Sequence, residues 1–503
     1  MQLRQLKKFL RKSSESANHF DPIQILNRQH PAPDHREIVI IGAGLAGVSM
    51  AWLLHRRGFK NIVILEAQER VGGKIYSYEH QGLIHEMGAC YTQPAYHSIH
   101  HLLNHFDLNE RVGVAGRMVY RDDGTKRPFG DDVIQKVKSS MGKSWKHLPK
   151  KAVGIRVVIA LQRYKYLHRK LLGHYQGQLP PKPSDGVLRS LAIPFLDWLK
   201  THRLDVLVPI FRLFQSAQGY GYLETVPAFY GLMWNTPEVI DIATQQMSGR
   251  GQGAALIRNG LSGVIEHMLQ ETGIAVHTQT RVTKISRQTE TYVETKDASG
   301  QTRQWEAKQV IISAPHQQAL AWLENVTPLE QELFSTLVSS CMTTTAQSAI
   351  QSTREKIDSW FDNIVPGRDH RVITQRCSEA FLSPETLTAK PINQPIERVI
   401  YQYGEQAADE ETIVAAYDTH QVKNGTRNHS VVERCFWPTY FPHWPSEGIV
   451  AGNPWRLLDM QGLNNTWWIG SSACFESIND VFEYNLQICN RYLDSSSEKR
   501  LQR

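Results

Sequence analysis

The stretch REIVIIGAGLAG, Arg36 to Gly47, decides how this chain folds. A short β-branched apolar run, Arg36 to Ile41, ends directly in Gly42-Ala43-Gly44-Leu45-Ala46-Gly47, and a helix-like stretch continues to Gly58. A second apolar run, Asn61 to Leu65, ends at Glu66, 24 residues after Gly42. Strand, glycine turn, helix, strand and acid thus follow in the order of a dinucleotide-binding βαβ unit. The chemistry calls for these residue types. Gly42 allows the tight turn, Gly44 lets the backbone approach a pyrophosphate, and Gly47 lets helix and strand pack closely. The helix N-terminus offers N–H groups and a positive dipole end to phosphates. Glu66 is placed to accept hydrogen bonds from ribose hydroxyls. A lone glycine motif is weak evidence; the two flanking strands and the acid strengthen this one.

The rest of the chain is compatible with such a domain and with little else. At 503 residues it is long enough for about three domains, or fewer if one is large and discontinuous. Hydrophobic residues make up 41% and charged residues 21%, and no run approaches the roughly eighteen apolar residues of a bilayer-spanning helix, which excludes collagen-like, disordered and integral-membrane classes. Six cysteines without a C-x-x-C pair indicate neither a disulfide scaffold nor a structural zinc site, so a reducing, cytoplasmic setting is expected. Residues 1–33 read as a basic extension with Leu3, Leu6, Phe9 and Leu10 on one helical face, which permits membrane-surface contact beside the blander reading of a frayed terminus. From Val133 to Ser184 there are twelve Lys or Arg and no Asp or Glu; subtracting them from the net +7 leaves the remainder at −5. This basic helical region favours anionic partners. Nucleic acid is not expected, because no nucleic-acid-binding motif accompanies the charge.

Directly after the second strand comes Glu69-Arg70-Val71-Gly72-Gly73-Lys74-Ile75, and further on Glu86-Met87-Gly88-Ala89. These segments resemble the R-x-G-G-[RK] and E-x-G-A signatures of the flavin-containing amine oxidase superfamily. The resemblance implies an α/β fold: a discontinuous Rossmann-type FAD-binding domain of glutathione-reductase-like, amine oxidase type, joined to a mixed α+β substrate domain. FAD is the implied cofactor. Its implied contacts are Gly42, Ala43, Gly44, Gly47, Glu66, Ala67, Arg70, Gly72, Gly73, Lys74, Met87, Gly88 and Ala89, with the paired glycines meeting a phosphate through backbone amides and the basic residues compensating charge.

Further along, Gly260 to Gly273 reads as a helix, followed by a β-meander at Ile274 to Gln279, Val282 to Ser286, Tyr292 to Lys296 and Val310 to Ala314. By the resemblance this returns the chain to the cofactor, with the Val282 backbone at the adenine. Near the C-terminus Thr466 to Gly470 is strand-like, and a helix is expected from Asp480 with Asn479 as N-cap. In the superfamily this helix points at the flavin, so Asn479 and Val481 join the expected contacts, as does Ser471, where most relatives carry Asp or Glu. The FAD-binding domain is therefore expected from residues 34–95, 250–320 and 452–495, the substrate domain from 96–249 and 321–451 with the basic region at 133–184, and a tail at 496–503. Gln178 to Ser184 (QLPPKPS) reads as a connector.

Within the superfamily, VGGK (71–74), EMGA (86–89), GYG (219–221), VPA (226–228), YFPH (440–443) and MQG (460–462) resemble bacterial polyenoic fatty acid isomerase-like flavoproteins, in the same order. The segment Arg117 to Gly124 (RMVYRDDG) matches the one carrying those proteins' carboxylate-binding arginine, which implies that role for Arg117; a guanidinium fork suits a carboxylate. An ordinary arginine at a strand start is the alternative. Gln218 stands where they have a channel aromatic, and Tyr220 and Tyr440 are expected beside it. The implied chemistry is hydride transfer from an apolar substrate, such as a fatty acid, to flavin N5, with no obligatory side-chain base. Return of the hydride to the same molecule makes an isomerase; passage of electrons to an acceptor makes an oxidase or dehydrogenase, an amine oxidase among them. A binding protein on the same scaffold, as in the Rab GDP-dissociation inhibitors, is the non-enzymatic alternative. His97, His100, His101 and His105 cluster on a helix, but no H-E-x-x-H frames them, and no metal is expected. Tyr91, Tyr220, Trp234, Tyr440 and Phe441 are aromatic candidates for the substrate cavity or for core.

Overall fold

A computed structural model describes residues 37–114, 116–140, 149–247, 253–288, 290–351, 353–382 and 390–492. The basic N-terminal extension and the tail at 496–503 lie outside the described residues.

Ile38–Ile41, Ile62–Leu65, Ala275–His277, Gln309–Ile312 and Thr466–Trp468 pair in parallel into one five-stranded sheet, with Ile38–Ile41 in the centre. Its central strand is buried at every position, because a parallel sheet covered on both faces demands apolar residues without alternation. The helices Leu45–Arg56, Ser262–Thr272 and Ile478–Tyr492 pack together on this layer. Asn485 ties the last helix to the first one, donating to Ala46 O at 2.8 Å and Ser49 Oγ at 2.9 Å.

Two sequence expectations need correction here. Ala275–His277 and Gln309–Ile312 belong to the parallel sheet and not to the meander. The antiparallel unit is Thr280–Arg287, Thr291–Asp297 and Thr302–Glu306, and its third strand (TRQWE) is too polar and exposed to be seen in a hydrophobic pattern. The last helix begins at Ile478, and its cap is Ser477, whose Oγ accepts the Asp480 N–H at 3.0 Å. Asn479 lies inside that helix, with its amide donating to Gln176 O at 3.3 Å.

A second, seven-stranded sheet runs through Arg427–His443, Val338–Ile350, Ile396–Gly404, Val372–Cys377, Ile357–Trp360, Arg117–Tyr120 and Lys126–Pro128. The helix Phe129–Ser140 packs on its edge strands Arg117–Tyr120 and Lys126–Pro128. The proline-rich connector is strapped to the last helix: Leu179 donates its N–H to Gln487 Oε1 at 3.1 Å, and Gln487 Nε2 donates back to Leu179 O at 2.9 Å.

Candidate active site

One cavity of about 410 Å³ runs from the glycine turn to the second sheet. At its first end Gly42, Gly44, Glu66, Ala67 and Val282 line it; midway come Gly72, Gly73 and Lys74; beyond them lie Gly88, Ala89, Ser471 and Val481. Tyr91, Gln218, Tyr220, Trp234 and Tyr440 line the far end. Strands of the first sheet and their loops thus build one half, and strands of the second sheet build the other together with Tyr91, Gln218, Tyr220 and Trp234 from helices and loops.

The glycine turns fit an extended dinucleotide on geometric grounds. A Cβ on Gly47 would stand 1.9 Å from Gly42 O, and one on Gly88 would stand 2.0 Å from Lys74 O, so neither close approach admits a side chain. Gly42, Gly72 and Gly73 have positive φ, the left-handed region that glycine enters without strain. Glu66, at the tip of its strand, accepts the N–H groups of Ala43 at 2.7 Å and Gln68 at 2.8 Å, and a carboxylate has acceptor capacity left for hydroxyl donors.

Several expected contacts lie behind the wall. Ala43 binds Glu66, and Gly47 packs under Gly42. The Arg70 guanidinium braces the glycine loop, donating to Gly73 O at 2.9 Å and Val71 O at 3.1 Å, and lies 4.1 Å from the Tyr76 ring centre. The Met87 side chain is buried, and its carbonyl accepts from Thr344 Oγ1 at 2.6 Å and Trp437 Nε1 at 3.0 Å. The Asn479 side chain turns to the connector, while Ile478 and Val481 bring the helix start to the cavity. Phe441 is core.

The sequence reading missed Glu476. Its carboxyl is buried at the cavity wall, 2.5 Å from Lys74 Nζ, and also accepts the Phe441 N–H at 2.8 Å. Lys74 reaches Ser471 Oγ at 3.4 Å as well. Met342, Thr344, Tyr401 and Trp437, all from the second sheet, were also missed as lining residues. A lysine confined beside two glycines asks for an anionic partner, and that was the one available signal for Glu476.

At the far end burial makes the thiol and the phenols harder to ionise. Burial pushes the Cys90 thiol up to about 11 and the Tyr91 phenol up to about 12; it drives Tyr96, Tyr220, Tyr401 and Tyr440 well above the ordinary tyrosine range. Two arginines stand behind this wall. Arg376 donates to Tyr401 OH at 3.0 Å and to Glu86 O at 3.3 Å. Arg117, for which the resemblance implies a carboxylate-binding role, does not line the cavity; it donates to Ser359 Oγ at 2.7 Å and Thr374 Oγ1 at 3.5 Å, and its charge acts on Tyr91, which does. Burial lowers its pKa, and the neighbouring Tyr91 and Cys90 offset part of that.

The histidines at 97–105 are engaged separately: His97 with Glu238 at 2.9 Å, His100 with Gln93 O at 2.9 Å and His105 with Glu271 at 2.7 Å. The structure instead gathers His80, His85 and Glu397, with one carboxylate bridging both rings at 2.9 and 2.6 Å.

Comparison with known proteins adds an independent line. The family model for flavin containing amine oxidoreductases matches residues 45–392. A polyenoic fatty acid isomerase of Ptilota filicina is 25% identical over 490 aligned positions, covering 89% of this chain and 93% of that protein. Human flavin-containing amine oxidase B is 33% identical, over 18% of each chain. Among solved structures, the CLA-producing fatty acid isomerase of P. acnes superposes with a TM-score of 0.70 at 21% identity, over 91% of this chain and 98% of that one. Putrescine oxidase bound to putrescine superposes at 0.61 with 12% identity, over 94% and 100%. These two likenesses establish the shared fold.

Proposed function

The chain belongs to the flavin-containing amine oxidoreductase family, and from that premise we propose that it removes hydride from a long apolar substrate bearing a carboxylate, a polyunsaturated fatty acid being the substrate class that fits best. The enzyme is an FAD-dependent oxidoreductase, which sets aside the binding-protein alternative. Bound FAD supplies the two-electron acceptor, N5 of the flavin.

The chain's own residues do the rest. Gly42, Gly44, Gly72 and Gly73 present backbone to the cofactor, with Glu66 at its ribose end. Tyr220, Trp234, Tyr440 and Met342 exclude water from the far end and supply apolar surface for a chain. The observation that carries the reading is the lining of this end: Tyr91, Tyr220, Trp234, Met342, Tyr401, Trp437 and Tyr440 face one cavity with the glycine turns. Its one carboxyl near this end, Glu476, is engaged by Lys74 and the Phe441 N–H, so the wall suits loss of hydride from an activated, allylic C–H with no side-chain base. The positive charges of Arg117 and Arg376 behind Tyr91 and Tyr401 favour a substrate whose anionic end points that way. The extended likeness to a polyenoic fatty acid isomerase supports return of the hydride to another carbon of the same chain. The likeness to amine oxidase B covers too little of the chain to support an amine.

The test is anaerobic mixing of the holoprotein with polyunsaturated fatty acids and, separately, with amines. Isomerisation gives conjugated-diene absorbance with unchanged product mass. Lasting flavin bleaching with loss of two hydrogens would make the enzyme a dehydrogenase, and bleaching by amines alone would overturn the carboxylate reading.

A further inference from the structure

The helix Lys150–Leu172 has two apolar faces, and only one is covered. Its inner face, with Leu161, Tyr164, His168 and Leu172, is buried; Tyr164 packs on Phe211 and Trp198. Its outer face carries Ile155, Ile159 and Tyr166, which are 57%, 64% and 66% exposed, with Val158 beside them at 50%. Positions 155, 159 and 166 fall within about 40° of one another at 100° per residue, so they form one stripe along the helix. Charge frames it: Lys151 and Arg169 flank one side, Arg163 and Lys170 the other, and all four are exposed. None of these four has an ion-pair partner among the described residues, whereas Lys150 and Lys165 on the same helix are neutralised by Asp131 and Asp241.

We propose that this face docks on an anionic phospholipid bilayer, lying in the headgroup plane with Ile155, Ile159 and Tyr166 inserted and the flanking cations on lipid phosphates. The pattern is that of an interfacial helix, in which apolar burial and attraction to anionic lipid each supply part of the binding. Lysine and arginine suit the borders because their stems lie along apolar surface while their heads reach polar groups. Charge decides between occupants. A second copy would bring two cationic faces together, whereas a bilayer rich in acidic lipid answers the cations along the whole stripe. Among the described residues no helix is long and apolar enough to cross a membrane, so the attachment is peripheral.

Flotation of the full-length holoprotein with phosphatidylglycerol/phosphatidylcholine vesicles, against phosphatidylcholine alone, tests this directly. Binding to the acidic vesicles is expected, falling as salt rises. The double substitution Ile155→Asp/Ile159→Asp should weaken it by about tenfold or more, since each isoleucine loses its apolar transfer and gains a charge. Arg163→Gln/Lys170→Gln should flatten the salt dependence. These side chains are exposed, so flavin content and melting temperature should stay unchanged and exclude misfolding as the cause. Absence of flotation, or flotation that neither double variant alters, would overturn the proposal. So would a wild-type dimer that Ile155→Asp/Ile159→Asp converts to monomer, because the stripe would then be a protein interface.

Discussion

Lys74 Nζ lies 2.5 Å from Glu476 Oε1, so the glycine loop of the cofactor cradle is ionically tied to the turn that precedes the last helix. Burial raises the Glu476 pKa, and the Lys74 charge opposes that rise. Lys74→Met should therefore strand a buried carboxyl and lower stability by about 1–3 kcal/mol, less than for a fully enclosed pair because Lys74 keeps some contact with water. The double variant Lys74→Met/Glu476→Gln should recover most of the loss. Melting curves of the four proteins complete the cycle; a double variant as unstable as the sum of the singles would show that the two side chains act independently.

The cradle glycines should separate folding from cofactor retention. A methyl on Gly47 collides with Gly42 O, so Gly47→Ala should lower both the melting temperature and the bound flavin. At Gly44 the nearest foreign atom to an added Cβ is Gly73 Cα at 3.7 Å, an ordinary contact. Gly44→Ala should leave the flavin-free protein within about 0.5 kcal/mol of wild type, yet retain less FAD because the methyl stands on the cavity wall. The flavin-to-protein absorbance ratio after gel filtration, read beside the melts, checks both.

This contrast also explains what could be read from sequence. Gly42, Gly47 and Glu66 announce themselves because each answers a local backbone demand within one βαβ unit. The far end has no such code. Thr344, Tyr401 and Trp437 sit on long strands where neighbours in sequence face opposite ways, and only the pairing register decides which of them meets the cavity. Arg117 was visible as a cation at a strand start, but the hydroxyls of Ser359 and Thr374 that hold it lie over two hundred residues away. Asn479 looked like a cap because asparagine is a good one; Ser477, two residues earlier, takes that position.

Two buried carboxyls should make stability fall as pH rises. Desolvation pushes Glu86 and Asp480 each up to about 7, although Ser77 and the Leu261 N–H for Glu86, and Ser477 and Tyr175 for Asp480, pull the other way. The folded protein therefore holds these protons more tightly than the unfolded chain, where the values are 4.5 and 3.8. The stabilisation is complete below those unfolded values and is lost as pH climbs through about 7. For Glu86 the shift corresponds to at most about 3 kcal/mol. Glu86→Gln should gain on wild type between pH 5 and pH 8 in urea titrations, and a constant difference across that range would mean that Glu86 does not titrate there.

Arg117 should matter for the charge of the substrate more than for its chain. It stands behind Tyr91, with its guanidinium held by Ser359 across the parallel pairing of Arg117–Tyr120 with Ile357–Trp360. Arg117→Met removes a hydrogen bond at that pairing as well as a charge, so some loss of stability is expected from structure alone. The discriminating quantity is the ratio of KM for a fatty acid to KM for the matching fatty alcohol. If the arginine attracts the carboxylate, the ratio should rise by about tenfold, worth 1.4 kcal/mol, while the alcohol is nearly unaffected. Arg117→Lys keeps the charge without the planar fork, and it should restore much of the ratio because the attraction acts through Tyr91 rather than through a two-pronged contact. Equal loss with acid and alcohol would reduce Arg117 to a brace of the second sheet and leave Arg376 as the remaining cation behind that wall.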